Sequence, residues 1–555
     1  MRYFTLLFVV SVLATFSLAD PPTIAPETTY YVAPVDAEGY VDYVVALNAE
    51  FGKPRIASRD NAFVGILDQT FPLYPDADHV AKLYNALNKK QPTSRPRFTR
   101  FLDYAEARGL PMAPPIDWSM VPFGTEPASP TSEPEPPTSE LESPASETAE
   151  AMEERAYGPP WTAEELPEVA RWIDSIEESL DAIIAATARP DYYAPLVRPH
   201  EHALLLEVLL PQLSIHRTIG RSLNMRARRH LGEGNLDAAI NDWAAIRRLG
   251  RLQTREPTVI ANLVGISLHT FSHDLFNLIL SQPEITQKQI QELNRTLDDL
   301  PAAVPMARVI QKYERAMFLD LLTQASRGRT NLLETIGMMQ SVSRRTDPMT
   351  YMVSDRTDDP LTKLISDSLF DLNRALRRVN ISWDGWFGKI PDDYKESSVL
   401  FDRIEAEAQQ LADTGRKQAL PLLVLGKSGI QEDADIDQIT DQTTDLLLGI
   451  FSPALSGTIH TEWQSEVKAA LEPVALALAQ YRLDQGKYPP LLQSLIPDYL
   501  EELPDDLFGN RSLRYRRDGQ GYRLYSIGSN LVDDGGVHDF ENGDIVLQIP
   551  WSLTE

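Results

Sequence analysis

The chain has 555 residues, contains no cysteine and carries a formal net charge of −28 at pH 7. The lack of cysteine excludes disulfide bonds, thiolate nucleophiles and sites in which cysteine holds zinc or an iron–sulfur cluster. The acidic excess disfavours sequence-independent binding of nucleic acids or anionic membranes, because both require a positively charged surface. It is compatible with divalent cations. Apolar residues form 43% of the chain, which is enough for a sizeable core or for two or three domains.

The first residues have the pattern of a secretory signal peptide. Arg2 supplies a positive charge, Phe4 to Leu18 is largely apolar, and Ser17-Leu18-Ala19 fits the small-x-small cleavage pattern. The apolar stretch is short for a membrane-spanning helix, which needs about 20 residues. We therefore predict a signal peptide at residues 1–19 and export to the periplasm, cell envelope or extracellular space, with an uncleaved anchor as the alternative. Charged residues interrupt the later apolar runs, so we predict no transmembrane span after signal removal.

Two segments follow with different compositions. Residues 28–120 show helical spacing of apolar residues, as in Tyr40, Tyr43 and Leu47, and predict a small helical domain. Residues 124–157 consist mainly of Pro, Ser, Thr, Ala and Glu. Such a segment buries too little apolar area to offset its ordering entropy, so it is predicted to be a disordered acidic linker.

Residues 161–455 are predicted to form a helical domain. Its clearest unit is a hairpin that begins at Pro211, turns at Gly232-Glu-Gly234 and is followed by a third helix from Pro257. The hairpin turn resembles that of a tetratricopeptide repeat, but no second copy occurs at the expected period of about 34 residues, so an isolated hairpin is favoured over a peptide-binding array. Residues 383–394 are predicted to form an ordered loop and residues 424–444 to be irregular, because glycine recurs in both.

Residues 456–555 are predicted to form an α+β tail. A helix over residues 461–483 contains Pro473, which predicts a kink or a restart. Alternating residues on both sides of Asp518-Gly519 predict a β-hairpin, and residues 545–549 a third strand. The predicted fold class is thus mainly α, with a helical central domain and a small C-terminal α+β module in which an antiparallel sheet packs on a helix.

The tail resembles the C-terminal domain of the type II secretion system major pseudopilin of the G type. The resemblance rests on the order of four features: Tyr481-Arg-Leu-Asp-Gln-Gly-Lys-Tyr-Pro489, a Pro504-Asp-Asp turn, Tyr525-Ser-Ile-Gly528, and an acidic glycine-rich loop that ends at Asp544-Ile545. The N-terminus lacks the prepilin signature of that family, so the tail looks like a borrowed module. The chain as a whole looks like large exported bacterial proteins of unknown function that carry such a tail.

The acidic loop of the tail is the predicted metal site. Between Leu524 and Ile549 the carboxylates are not accompanied by Lys or Arg. In the resembled family this loop holds calcium, which implies Ca²⁺ here with Asp534 and Asp544 as ligands, and with Asp533 and Asp539 as further candidates. Calcium takes six to eight hard oxygen ligands, which carboxylates and carbonyls in a flexible loop can supply. The alternative is a solvated acidic turn.

A second histidine-based site is disfavoured by the sequence. His269 and His273 lie on one helical face, but their apolar neighbours and the lack of a zinc-protease Glu favour buried histidines over metal ligands. The chain contains no complete enzymatic motif, and the prediction is that it is not an enzyme.

The predicted function is that of an exported non-enzymatic scaffold or interaction protein with a calcium-stabilised C-terminal module and unidentified protein partners. One alternative is an accessory component of a type II secretion or pilus-like apparatus. The other is a hydrolase with an unrecognised site in the helical domain, which a deep polar cleft containing a carboxylate or histidine cluster would favour.

Overall fold

The computed structural model describes residues 20–551 with internal gaps, and the described part is mainly helical. The residues outside the description are 1–19, 53–55, 114–146, 202, 209, 331, 333–334, 336–364, 366–369, 392, 426–434, 452–455, 510, 538–542 and 552–555. The predicted signal peptide and the larger part of the predicted linker therefore lie outside the described residues.

The N-terminal helices are short, and most begin at a side chain that caps the first turn. Asp42, Asn61, Asp76 and Thr148 each accept a hydrogen bond from a backbone N–H two or three residues further on, which satisfies a donor that the helix itself leaves free. The helices are α1 (Tyr43–Phe51), α2 (Ala62–Thr70), α3 (Ala77–Ala86), α4 (Phe101–Ala107) and α5 (Ala149–Ala156).

The central helices confirm the predicted hairpin and the helix after it. The first hairpin helix ends at Gly232, where the backbone of Trp161 packs closely against it. A Cβ atom at this position would lie 2.2 Å from the Trp161 carbonyl oxygen, so only glycine fits. Gly234 follows with a positive φ of 77°, which glycine adopts at little cost. The helices are α6 (Pro167–Thr187), α7 (Pro211–Gly232), α8 (Leu236–Gln253), α9 (Val259–Leu280) and α10 (Gln287–Asp298).

Helix α9 is long and apolar enough to cross a membrane by length and composition. In its most apolar window the mean hydropathy is 1.2, and 72% of that window is buried inside the protein. Its neighbours are α7, α8 and the helix at 456–485, so its apolar surface is accounted for by packing within the bundle.

The remaining helices form a second group. Helix α11 continues through a π-helical turn at Ile310–Glu314 into α12, so that one almost unbroken helical rod covers the segment after Pro305. The helices are α11 (Met306–Val309), α12 (Arg315–Ser326), α13 (Leu372–Phe387), α14 (Tyr394–Leu425), α15 (Ile436–Phe451) and α16 (Ser456–Gln485).

The C-terminal sheet has the predicted antiparallel order. Strands β3, β4 and β5 lie side by side in that order, and Asp518 pairs with Gly521 across a turn in which Gly519 has a φ of 55°. A separate pair of two-residue strands precedes them. The strands are β1 (Asp505–Asp506), β2 (Arg511–Ser512), β3 (Arg514–Asp518), β4 (Gly521–Ser526) and β5 (Ile545–Ile549).

Most buried apolar side chains of the described residues fall into two clusters, and each cluster draws on more than one of the predicted segments. The first cluster contains Phe63, Trp243 and Leu547, and thus unites the N-terminal region, the central hairpin and the C-terminal sheet. The second contains Tyr43 and Trp383, and unites α1 with α11 to α15. Residues 28–120 therefore contribute to both cores, and the tail shares a core with the helical region through α16.

The structure differs from three local predictions. The last part of the predicted linker forms α5, whose Ala149 and Ala156 are fully buried in the first core. The predicted loop at 383–394 begins as the end of α13, because Trp383 and Phe387 are core residues of the second cluster. The predicted irregular segment at 424–444 contains the first half of α15. At Pro473, where a kink or a restart is predicted, α16 continues without a restart.

Candidate functional site

The described part of the acidic loop between β4 and β5 contains one buried carboxylate that accepts hydrogen bonds from its backbone. Asp544 is fully buried, and its two oxygens accept hydrogen bonds from the backbone N–H groups of Asp534 (3.4 Å) and Gly536 (2.7 Å). Gly535 and Gly536 have φ values of 78° and 75°, so the tight backbone needs glycine at both positions. Burial raises the pKa of Asp544, and the nearby Asp534 and Asp533 carboxylates raise it further.

The other predicted ligands differ in the hydrogen bonds that their carboxylates accept from other side chains. Asp533 accepts hydrogen bonds from the Tyr525 hydroxyl (3.1 Å) and from Arg514 Nε (3.3 Å). Asp534 accepts one from Asn530 Nδ2 at 3.0 Å. Asp539 lies outside the described residues. The structure thus places Asp533, Asp534 and Asp544 in one loop.

A basic residue approaches this loop, although the loop segment has none of its own. Arg514 lies on β3 and pairs with Tyr525 of β4. Its guanidinium reaches the carboxylate of Asp533 from this neighbouring strand. The sequence from 524 to 549 could not indicate this contact, because Arg514 lies outside that segment and only the pairing of β3 with β4 brings it to the loop.

A second polar cluster lies inside the helical bundle, and we refer to Arg247, Ser465, Glu472, His269 and His273 as the Glu472 cluster. Glu472 on α16 is completely buried, and its Oε2 lies 2.7 Å from Arg247 Nη2 on α8. Its Oε1 lies 3.4 Å from His269 Nε2 and 3.3 Å from His273 Nδ1 on α9. The other ring nitrogen of His269 lies 2.7 Å from Ser465 Oγ.

The charges of the Glu472 cluster follow from burial and pairing. Burial alone opposes ionisation of Glu472, but the Arg247 charge and the contacts with His269 and His273 hold its pKa below the usual value. Burial lowers the pKa of His269 to about 3, and the Arg247 charge acts in the same direction. At neutral pH the cluster therefore contains one Arg247–Glu472 ion pair and a neutral His269.

The cluster borders a small void rather than a cleft. The void measures about 20 Å³ and is lined by side chains that include Arg247, His269, Ser465 and Glu462. That volume holds about one water molecule. Burial raises the pKa of Glu462 to about 7. The cluster accordingly combines charged and hydrogen-bonding side chains, but the void beside it is too small for a substrate molecule.

A larger groove lies between α14 and α16. It has a volume of about 250 Å³. Tyr394 packs against Trp463 with ring centroids 5.6 Å apart and against Phe508 of the tail at 4.4 Å. The groove is lined by Tyr394, Ser397, Ser398, Phe401, Asp402, Glu405, Gly457, Ile459, His460 and Trp463. We call it the aromatic–acidic groove, because aromatic side chains lie beside the exposed Asp402 and Glu405.

The sequence singled out only part of these features. The interpretation of His269 and His273 as buried is confirmed, since they are 7% and 2% exposed. Glu472 was missed, and its one signal was a lone acidic residue beside Leu471 and Val474 on an apolar helix stripe. Arg247 was missed as well, since it is adjacent to a second arginine and looks like a surface residue.

Comparison with known proteins assigns no relative to the chain: no family model matches it, and neither do the curated proteins or the solved structures.

Proposed function

We propose that the protein is an exported, non-enzymatic scaffold that binds a basic segment of a partner protein in the aromatic–acidic groove. The observation that carries this proposal is the combination of rings and carboxylates in a groove of about 250 Å³. Export rests on the sequence of residues 1–19. The C-terminal tail lies beside the groove, because Phe508 packs against Tyr394 with ring centroids 4.4 Å apart.

The chemistry of the groove fits an arginine or lysine side chain. The faces of Tyr394 and Trp463 attract a cation, which contributes roughly 0.5–2 kcal/mol depending on how far it is desolvated. The exposed Asp402 and Glu405 add charge complementarity at the edge. The net charge of −28 would also steer a basic partner towards the protein. The aromatic rings of the groove supply contact area, and its carboxylates favour a positively charged ligand over a negatively charged one.

Binding of an arginine-rich peptide to the full chain should depend on the groove. We expect Asp402→Asn to weaken binding by up to about fivefold, because an exposed charge pair contributes at most about 1 kcal/mol. Trp463→Leu should weaken binding as well, through loss of the ring face. The measurement is fluorescence anisotropy of the labelled peptide, with circular dichroism to verify the fold of each variant.

The matched control for the groove is Glu164→Gln, which removes the same charge from an exposed residue that does not line the groove. It should leave peptide affinity unchanged. If Glu164→Gln and Asp402→Asn weakened binding equally, the attraction would come from the overall charge and the groove would have no specific role.

We further propose that the acidic loop binds Ca²⁺ and stabilises the tail. Asp544 and Asp534 suit this role best, because the buried Asp544 carboxylate lies beside Asp534 in a loop whose backbone turns at two glycines. Asp533 suits it less, since the positive charge of Arg514 lies 3.3 Å from its carboxylate and opposes a cation there. Bound Ca²⁺ would neutralise the carboxylates, and backbone carbonyls would complete its oxygen shell.

Calcium should raise the melting temperature of the full chain, and Mg²⁺ should do so much less. Calcium at a hundred times its dissociation constant adds about 2.7 kcal/mol to the folded state, which predicts a shift of a few degrees. Asp544→Asn and Asp534→Asn should each abolish the shift, while Asp505→Asn, an exposed residue outside the loop, should retain it. Calorimetry without calcium heat for the wild-type protein would refute the site.

A further inference from the structure

We propose that His269, His273 and Glu472 form a binding site for a divalent transition metal, with Zn²⁺ as the best fit. This site is separate from the aromatic–acidic groove and from the acidic loop, and it does not depend on the function proposed for either. It lies where α9 meets α16, beside α8. A metal there would link α9 to α16, the helix that leads into the tail.

The distances within the cluster fit tetrahedral coordination. Glu472 Oε1 lies 3.4 Å from His269 Nε2 and 3.3 Å from His273 Nδ1. Zinc–ligand bonds of about 2.0–2.1 Å place neighbouring ligands of a tetrahedron about 3.3–3.4 Å apart, so both edges already have the required length. The three donor atoms all lie within 4.8 Å of one another, so a modest movement of one imidazole closes the third edge.

One donor atom of this set is buried without a partner. His269 is 7% exposed, and its Nε2 forms no hydrogen bond of good geometry although it faces Glu472. Buried polar groups in folded proteins almost always have a hydrogen-bond partner, and a bound ion is one of the recognised explanations for an exception. A metal between Nε2 and Oε1 would satisfy both atoms at once.

Surrounding side chains orient two of the three ligands, His269 and Glu472, in the way that metal sites require. Ser465 Oγ lies 2.7 Å from His269 Nδ1 and holds the ring so that Nε2 faces the cluster. Arg247 engages Oε2 of Glu472 at 2.7 Å and leaves Oε1 directed at the histidines. Such outer contacts fix the tautomer and orientation of ligands in known metal proteins.

Ligand chemistry favours zinc over calcium or magnesium. Two imidazoles and one carboxylate form a set that zinc accepts, whereas calcium and magnesium prefer oxygen ligands. The positive charge of Arg247 opposes every divalent cation at this site, so the imidazole nitrogens must supply the affinity, and zinc binds nitrogen donors better than calcium or magnesium does. The void of about 20 Å³ is lined by His269 but not by His273 or Glu472, and it has room for one water beside the cluster.

The test is metal binding by the tag-free full chain after removal of metals with a chelator. We expect one equivalent of Zn²⁺ by calorimetry and elemental analysis, and a tetrahedral absorption spectrum with Co²⁺. His273→Gln and His269→Gln should each weaken zinc binding roughly a hundredfold, as loss of a ligand costs at least as much as loss of an outer contact. Asp544→Asn should leave zinc binding unchanged, which separates this site from the acidic loop.

The matched control is His460→Gln, which removes a histidine of the same helix as Glu472 but outside the cluster. It should bind one zinc with wild-type affinity. The proposal is overturned if the wild-type protein binds no zinc, or if the His269→Gln and His273→Gln variants, verified as folded by circular dichroism, keep the wild-type affinity and the Co²⁺ spectrum.

Discussion

Replacing Arg247 by methionine should lower the free energy of unfolding by about 3–5 kcal/mol, because it leaves a buried carboxylate without its cation. The side chains of Arg247 and Glu472 are 2% and 0% exposed and meet at 2.7 Å. Methionine keeps a similar apolar volume, so the loss reports the missing charge rather than a cavity. The measurement is denaturant unfolding of the chelator-treated protein at neutral pH.

The matched control is Arg251→Met, one helical turn further along α8. Arg251 lies 3.5 Å from Glu466, and both side chains of that pair are partly exposed, at 21% and 45%. Water already solvates these charges, so the change should cost no more than about 1 kcal/mol. Equal losses in the two variants would contradict the assignment of a buried ion pair to Glu472.

A double variant separates the ion pair from the packing around it. Arg247→Met combined with Glu472→Met removes both charges together, and apolar replacements of buried pairs are often neutral or stabilising. The double variant should therefore recover most of the stability lost in Arg247→Met. Failure to recover it would show that the polar contacts with His269 and His273, rather than charge balance, hold α16 in place.

The elements that could be predicted from the sequence are those with a strong local signal. The hairpin of α7 and α8 has a proline at its first residue and glycines at its turn, and the β3–β4 hairpin has Gly519 at its turn. Each of these signals acts within a few residues, so no knowledge of distant packing was needed.

Tertiary packing overrode the local signal where the predictions were wrong. The segment from Trp383 contains two glycines and a proline, yet α13 runs to Phe387 because its aromatic residues are buried in the second core. Ala149 and Ala156 belong to an acidic stretch that has few apolar residues, but burial against other helices supports α5. Such contacts come from distant parts of the chain and leave no local pattern.

The two candidate metal sites show the same limit. The acidic loop draws Asp533, Asp534 and Asp544 from one short segment, so composition alone could indicate it. The Glu472 cluster draws its residues from α8, α9 and α16, more than 200 positions apart for Arg247 and Glu472. Only folding places Glu472 against the histidine pair, so the missing carboxylate of that pair could not be found from spacing.

Replacing Asp506 by alanine should destabilise the tail by about 3–5 kcal/mol, because this buried carboxylate accepts several charge-assisted hydrogen bonds. Its Oδ1 accepts from Phe508 N at 3.1 Å and from Ser526 Oγ at 2.6 Å, and its Oδ2 accepts from the backbone N–H of residue 527 at 3.0 Å. Asp506 is 2% exposed, so water cannot reach the N–H and O–H donors that alanine would leave without an acceptor.

The control is Asp505→Ala. The neighbouring Asp505 is exposed, and its replacement should change stability by no more than about 0.5 kcal/mol. Both variants are compared by denaturant unfolding and by limited proteolysis, with cleavage within residues 505–551 as the readout. Equal losses of stability in the two variants would mean that the carboxylate of Asp506 does not organise the end of β4.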